Sequence, residues 1–299
     1  MNKYKLVCIV SSCLIFSLFC NAQQDKIDKA SFCCLYTHYI QTTDKDHVAV
    51  VDSFFSILEV GERIHKYGDL STYTSQKKYL PDEMQGLTKE DCRRDEHLWV
   101  LQNYPNEGTL TVEESLHPSF FSYEESTDSL HWTLLSGDSM ILDYKCRYAR
   151  LQYGGREWMV WYTDEIPVSS GPWKLAGLPG LVLYAQDKTG VHTFHAHSIF
   201  NVEDQIITKS SNSDYSIQET KRETFIKTRN KIKCDPQWMR LPWYNDKTNV
   251  RMAILNAESR KRLGITPFIS VNGIKYPCRE RSDGSLEYIH NYYQPLEWH

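Results

Sequence analysis

Residues 139–163 read SMILDYKCRYARLQYGGREWMVWYT. Polar and apolar side chains alternate, imperfectly, on both sides of Gly154-Gly155, and a Gly-Gly pair between alternating runs is a hairpin turn. Two strands joined that tightly are antiparallel neighbours, so this unit constrains the fold more than any other stretch. The pattern recurs along the chain. Runs rich in aromatic and β-branched residues stand at Ser31–Thr42, Val48–Val60, Trp99–Tyr104, Thr109–Glu114 and Leu130–Leu135. Leu181–Gln186 and Val191–Phe200 flank Asp187-Lys188-Thr189-Gly190 as a further hairpin, and Pro267–Tyr276 is a third around Asn272-Gly273. With aromatics at 13% of the chain, the reading is mainly β and antiparallel, a curved or incompletely closed barrel-like sheet.

Helix signals are confined to the C-terminal third. Ser216-x-x-Glu219 has the form of a capping box ahead of TKRETFIKTRNKIK, and Asn249 and Gly264 bracket VRMAILNAESRKRL as cap and stop. No Pro/Gly/Ser-rich linker, repeat or low-complexity tract interrupts the chain, so residues 23–299 are expected to form a single domain.

Residues 1–22 stand apart. Lys3 and Lys5 precede the uncharged run Leu6–Phe19, and Cys20-Asn21-Ala22 places a small residue before Gln23. That is the form of a secretory signal with cleavage after Ala22; the run is too short to span a bilayer comfortably. Phe19 precedes Cys20 where a lipid-attachment cysteine wants a small residue. No later run reaches the length of a transmembrane helix. The expected location is the periplasm or the cell exterior. Loss of two lysines takes the formal charge from −4 to −6, and an acidic chain has no global attraction for nucleic acid.

Six cysteines remain after the signal: Cys33, Cys34, Cys92, Cys146, Cys234 and Cys278. Without a CxxC pair, neither a zinc ribbon nor a thioredoxin-type centre is indicated. Cys33 and Cys34 point to opposite faces of a strand and so cannot be expected to pair with each other. One or two bridges among the six are expected in an oxidising compartment, with the connectivity open.

The stretch GPWKLAGLPGLVLYAQD, residues 171–187, has two Gly/Pro pairs ahead of an apolar run. Leu178-Pro179-Gly180-Leu181 has the residue pattern of a type II turn, with Gly180 supplying a positive φ. Both faces of LVLYA are apolar, so that strand is expected to be buried on both sides. A phosphate loop needs the reverse order, strand then turn then helix, and a Lys-Ser/Thr pair; no GxSxG nucleophile elbow is present either. The stretch reads as a stiff double turn that aims a strand.

Lys145-Cys146-x-x-Ala149, Gly155-Arg156, Trp161-Tyr162-Thr163-x-Glu165-Ile166-Pro167, Gly171-Pro172 and Gly177-Leu178-Pro179-Gly180-Leu181 follow one another in an order that resembles the GLPGLI family of exported bacterial proteins. The resemblance is strong over residues 139–190 and fainter at Val51–Tyr73 and Gln294-Pro295-Leu296-Glu297. Val182 stands where the name motif ends in Ile. It implies an extracytoplasmic location and a β-rich fold, and no reaction or catalytic residue. The strand order also looks like the incomplete barrels of periplasmic lipoprotein carriers, an analogy of fold alone.

Candidate chemistry is sparse. His195 and His197 share a strand face and His192 takes the other; two imidazoles with a third ligand could hold Zn²⁺ or Cu²⁺ in a metal-dependent hydrolase. Arg156, Asp164 and Glu165 could do acid–base work or form ion pairs, and Cys146 could be a nucleophile or a buried thiol. Trp158, Trp161, Tyr162 and Trp173 could line a pocket or fill the core. The resulting expectation is a non-enzymatic binding, carrier or assembly module, without a cofactor, for an apolar or peptide-like ligand or an outer-membrane or envelope partner.

Overall fold

The structure is a computed structural model that describes residues 26–43, 49–70, 73–74, 84, 98–116, 119–209, 216–233 and 295–299, and the backbone of 268–271, 274–280 and 286–288. Its main body is one twelve-stranded sheet. In chain order the strands are β1 (Lys26–Thr43), β2 (Ala49–Gly61), β3 (His65–Asp69), β4 (Leu98–Gln102), β5 (Thr109–Leu116), β6 (Ser119–Ser126), β7 (Trp132–Ile141), β8 (Tyr144–Tyr153), β9 (Arg156–Thr163), β10 (Leu181–Asp187), β11 (His192–Thr208) and β12 (Ile217–Glu219). One helix, α1 (Arg222–Lys233), follows. A separate antiparallel unit, β13 (Phe268–Val271), β14 (Ile274–Glu280) and β15 (Leu286–Tyr288), contains the expected hairpin, with Val271 paired to Ile274. No helix among the described residues is long and apolar enough to cross a membrane.

The spatial order is β12-β6-β5-β4-β3-β2-β1-β11-β10-β9-β8-β7. Two antiparallel meanders, β1–β6 and β7–β11, are zipped together where β1 pairs with β11. This order forces curvature. β6 and β7 lie ten strand gaps apart, about 48 Å if the sheet were flat. Yet only residues 127–131 join them, and that connection reaches about 20 Å. The sheet therefore curls until its two ends approach, and it stays open along a seam between β6 and the β7–β8 end.

The concave side is filled rather than hollow. Tyr36, Tyr67, Val100, Trp158, Val160 and Phe194 from the strands meet Trp173, Leu175, Ala176 and Leu178 from the loop 164–180 in one buried cluster. Cys34 belongs to this cluster, while Cys33 packs with Leu35, Ile57, Trp99 and Phe200 in a second one. The two cysteines thus occupy opposite faces, as the strand period requires. Cys33, Cys34 and Cys146 are buried, and Cys34 and Cys146 are free thiols; the side chains of Cys92, Cys234 and Cys278 lie outside the described residues.

Three local expectations are corrected. Residues 139–153 do not form one strand: Leu142 and Asp143, with φ of 50° and 65°, turn the chain between β7 and β8, and no glycine announces that turn. Ser216–Glu219 is no capping box, because Ile217–Glu219 pairs in parallel with Phe120–Ser122 at the sheet edge and the helix starts at Arg222. Gly180 is absent from the glycines of positive φ, among which Gly177 stands at 95°. What Gly180 supplies is room, since a Cβ there would sit 2.0 Å from the Thr163 carbonyl oxygen. The second expected helix, residues 250–263, lies outside the described residues.

Candidate functional site

The seam is where polar chemistry collects. The loop 164–180 leaves β9, folds back under the sheet and delivers β10. Gln102 fastens it from β4, donating Nε2 to the carbonyls of Gly171 (3.3 Å) and Trp173 (3.4 Å) and accepting from Ser170 Oγ (2.6 Å). Trp132 Nε1 donates to Ala176 O at 2.8 Å. Held this way, the loop turns Lys174 into the interior, where it is fully buried.

An ammonium has three hydrogens, and Lys174 has three oxygen partners: Glu125 Oε1 at 2.5 Å, Glu297 Oε1 at 2.8 Å and Tyr123 OH at 3.1 Å. The Glu125 contact is an ion contact without a well-aligned hydrogen bond. Arg222, at the start of α1, bridges the same two acids, with Nε 2.9 Å from Glu125 Oε2 and Nη2 2.9 Å from Glu297 Oε2. Tyr153 OH donates to Glu125. Burial alone would raise the carboxyl pKa of Glu297; the charges of Lys174 and Arg222 outweigh it and hold that pKa below its usual value. Burial, then the nearby carboxylates, push the phenols of Tyr123 and Tyr153 well upward, so neither ionises at neutral pH.

Glu297 belongs to the segment Pro295–His299, which lies along the seam. Arg156 donates Nε (3.0 Å) and Nη2 (2.6 Å) to Pro295 O. Arg229 Nη2 (3.1 Å) and Asn230 Nδ2 (2.9 Å) donate to Glu297 O, and Trp298 N donates to Gly154 O at 2.8 Å. Gly154 and Gly155 form the expected turn, with φ of 61° and 76°. They also let the segment pass: a Cβ on Gly154 would meet Glu297 Cβ at 2.5 Å, and one on Gly155 would meet the His299 ring at 2.8 Å.

Arg156 continues inward to Asp187 Oδ2 at 2.9 Å, and Asp187 Oδ1 accepts the His192 backbone N–H at 2.6 Å. Burial works against ionisation of Asp187, but its hydrogen bonds and Arg156 keep its pKa low. His192 lies 3.1 Å from His38 in the core.

In front of the ion cluster opens a cleft of ≈ 890 Å³. Its walls come from β6 (Ser122–Ser126), the β8–β9 turn (Gln152–Gly154) and the β12–α1 junction (Glu219–Glu223), with Tyr104 and Lys209 at the rim. Its lining mixes charged and hydroxyl side chains with the rings of Tyr104, Tyr123 and Tyr153.

Most residues singled out from sequence serve the frame around this seam. Gly155, Arg156, Gly171, Gly177 and Gly180 shape it. Pro172, Leu178 and Leu181 are buried in it, and Pro167 and Pro179 sit at exposed bends. Cys146 is a core thiol whose pKa burial raises to about 11, unsuited to nucleophilic work at neutral pH. Glu165 Oε1 accepts Lys145 N at 2.8 Å, and Asp164 pairs with Arg147 at 2.6 Å; neither reaches the cleft. Trp158, Tyr162 and Trp173 are core, while Trp161 stacks on Tyr148 on the outer face, ring centroids 4.8 Å apart. His195 and His197 share the exposed face and His192 the buried one. No group of three His, Cys, Asp or Glu side chains with metal-binding spacing occurs among the described residues.

Glu125, Tyr153, Lys174 and Arg222 escaped the sequence reading. One signal was available: Lys174 is the only charge between Gly171 and Leu183, and a lone lysine inside apolar, turn-forming sequence needs a buried partner.

A family model described as a protein of unknown function, Porph_ging, matches residues 154–184, from the Gly-Gly turn through the loop into β10. No curated protein matches the chain. Two crystal structures of PNGF-II, in space groups P21 and C2, are similar at 16% identity with TM-scores of 0.45 and 0.44. They cover 66% of this chain, which spans only about a third (33% and 32%) of theirs.

Proposed function

We propose that this chain is an exported cell-envelope binding module whose seam cleft takes a polar, peptide-like ligand presented by an envelope partner. The observation that carries this reading is the half-open ≈ 890 Å³ cleft with a pre-formed floor, where Glu125 and Arg222 line the cleft and Lys174 and Glu297, buried behind them, hold both in place. Pre-organised polar groups around a concave surface are what recognition of a polar ligand requires. The floor charges neutralise one another, which suits binding better than acid–base turnover. The filled concave core disfavours the apolar-carrier version of the same idea. The resemblance to the GLPGLI family and the signal-like residues 1–22 support export, with cleavage after Ala22.

The test is a thermal-shift and calorimetric screen of the purified chain from Gln23 onward against short mixed peptides and, in parallel, against long-chain fatty acids. Peptides are expected to raise the Tm, and Glu124→Trp, which fills the cleft from its wall, is expected to abolish the effect. Stabilisation by fatty acids alone, or peptide binding indifferent to Glu124→Trp, would overturn the proposal.

A further inference from the structure

Segment 295–299 is held in the manner of a bound peptide. Its backbone is gripped by side chains that read no sequence: Arg156 on Pro295 O, Arg229 and Asn230 on Glu297 O, Arg222 Nη2 on His299 O at 3.1 Å. One position alone is read chemically. The Glu297 carboxylate enters a fully buried socket and accepts from Lys174, Tyr123 and Arg222. Leu296 before it is buried with the core, and Trp298 after it is 46% exposed and stacks loosely toward Arg156, 6.0 Å from ring centroid to guanidinium.

Charge supports the same view. Lys174, Arg156, Arg222 and Arg229 face the segment. Their other carboxylate contacts include Glu125, Asp187 and Glu114, at 2.5–2.9 Å. Without Glu297, Lys174 and Arg222 each lose a carboxylate partner in a buried site, which is costly. The groove is therefore complementary to a carboxylate at the position of Glu297.

We propose that Pro295–His299 fills, in cis, a peptide-binding groove whose ligand in trans is a peptide with an acidic residue preceded by an apolar one. This rests on the reading of the seam as a binding site and names the chemistry that it selects. A tethered segment acts at an effective concentration of the order of millimolar, so the intact chain masks the groove and a trans peptide gains access when the segment is absent or weakened.

The experiment uses the synthetic peptide Pro-Leu-Glu-Trp-His and its Glu→Gln counterpart, titrated calorimetrically into three proteins: the full chain, the full chain with Glu297→Gln, and the chain ending at Gln294. The expected result is saturable binding to the last two, at least tenfold tighter than to the unaltered chain, with the Gln peptide at least tenfold weaker than the Glu peptide. Should the shortened chain fail to fold, as judged by circular dichroism, Glu297→Gln decides alone. Absence of binding to every folded variant, or equal binding of the Glu and Gln peptides, overturns the proposal. Neutral peptides that bind and are blocked by Glu124→Trp, while the Glu peptide does not bind, would leave the cleft reading standing and sink this one.

Discussion

Replacing Lys174 by methionine keeps the length of the side chain and deletes its charge. The methionine fits the space, so the loss is electrostatic. Glu125 and Glu297, which the ammonium contacts at 2.5 and 2.8 Å, are left in a buried site. Removing one partner of a buried pair costs about 3–5 kcal/mol. Arg222 still touches both acids at 2.9 Å, which places the expected loss at the lower end, about 3 kcal/mol. For a chain of this size that is a fall in Tm of roughly 6–12 °C. The pH dependence identifies the cause. Glu297 has a folded-state pKa below its usual 4.5, so its contribution is present above pH 4.5 and is lost as pH falls through the folded value. Lys174→Met takes away the charge that depresses that pKa, so the gap between variant and parent is full at pH 7 and narrows below about pH 4.5. Adding Glu297→Gln removes the second charge and should restore a part of the loss, a coupling on the order of 1–2 kcal/mol. Urea unfolding followed by tryptophan fluorescence at pH 7 and pH 3.5 measures all three. A loss under ~1 kcal/mol, a gap independent of pH, or additive effects in the double variant would refute the buried-bridge account.

Other outcomes follow from single features. Gly180→Ala places a methyl 2.0 Å from Thr163 O and is expected to prevent folding or cost more than about 3 kcal/mol by chemical denaturation. Gly190→Ala, at φ 74° in open space, is expected to cost only about 1 kcal/mol; similar values for the two would contradict the close-approach role of Gly180. His65 has its pKa lowered by burial from 6.5 to about 4. The unfolded chain therefore binds the extra proton between those values, stability rises with pH across that window, and His65→Gln should flatten the rise in a pH series of melts. Zinc or copper titrated into the protein is expected to show no stoichiometric site, and His195→Ala with His197→Ala should change nothing; a one-to-one site lost in that pair would restore the metal reading.

The strands were legible because their signal is local. Alternation and the Gly154-Gly155 turn found β8 and β9, and the apolar run after Gly180 found β10. The failures have equally local causes. Leu142-Asp143 turns the chain without glycine or proline, so the sequence there reads as one strand. Ser216–Glu219 has the residues of a cap, but the free edge of β6 offers Ile217–Glu219 a ladder, and tertiary pairing overrides the local preference. Gly180 was assigned to the wrong cause: sequence shows that a residue must be glycine, not whether φ or a neighbouring carbonyl demands it. The charged floor was illegible for another reason. Lys174 meets Glu125 and Glu297 across separations of 49 and 123 residues, and no local pattern encodes a contact of that range.

The seam explains why the legible motif and the hidden cluster belong together. A sheet whose ends are brought back by a five-residue connection, yet do not pair with each other, leaves a gap beside the core that β12 covers only in part on the β6 side. Something must occupy that gap, and what occupies it must approach the backbone closely. The glycines of the motif supply that approach. Gly154 and Gly155 admit Glu297 and His299, and Gly180 admits the carbonyl of Thr163. Arg156 and Lys174, spaced along the same matched stretch, then pin the inserted segment by its carbonyl and its carboxylate. The stretch 154–184 that a family model recognises is thus more than a strand-aiming turn. It is one wall of the seam, and substitutions at Gly154, Gly155, Arg156 or Lys174 act first on how residues 295–299 are held.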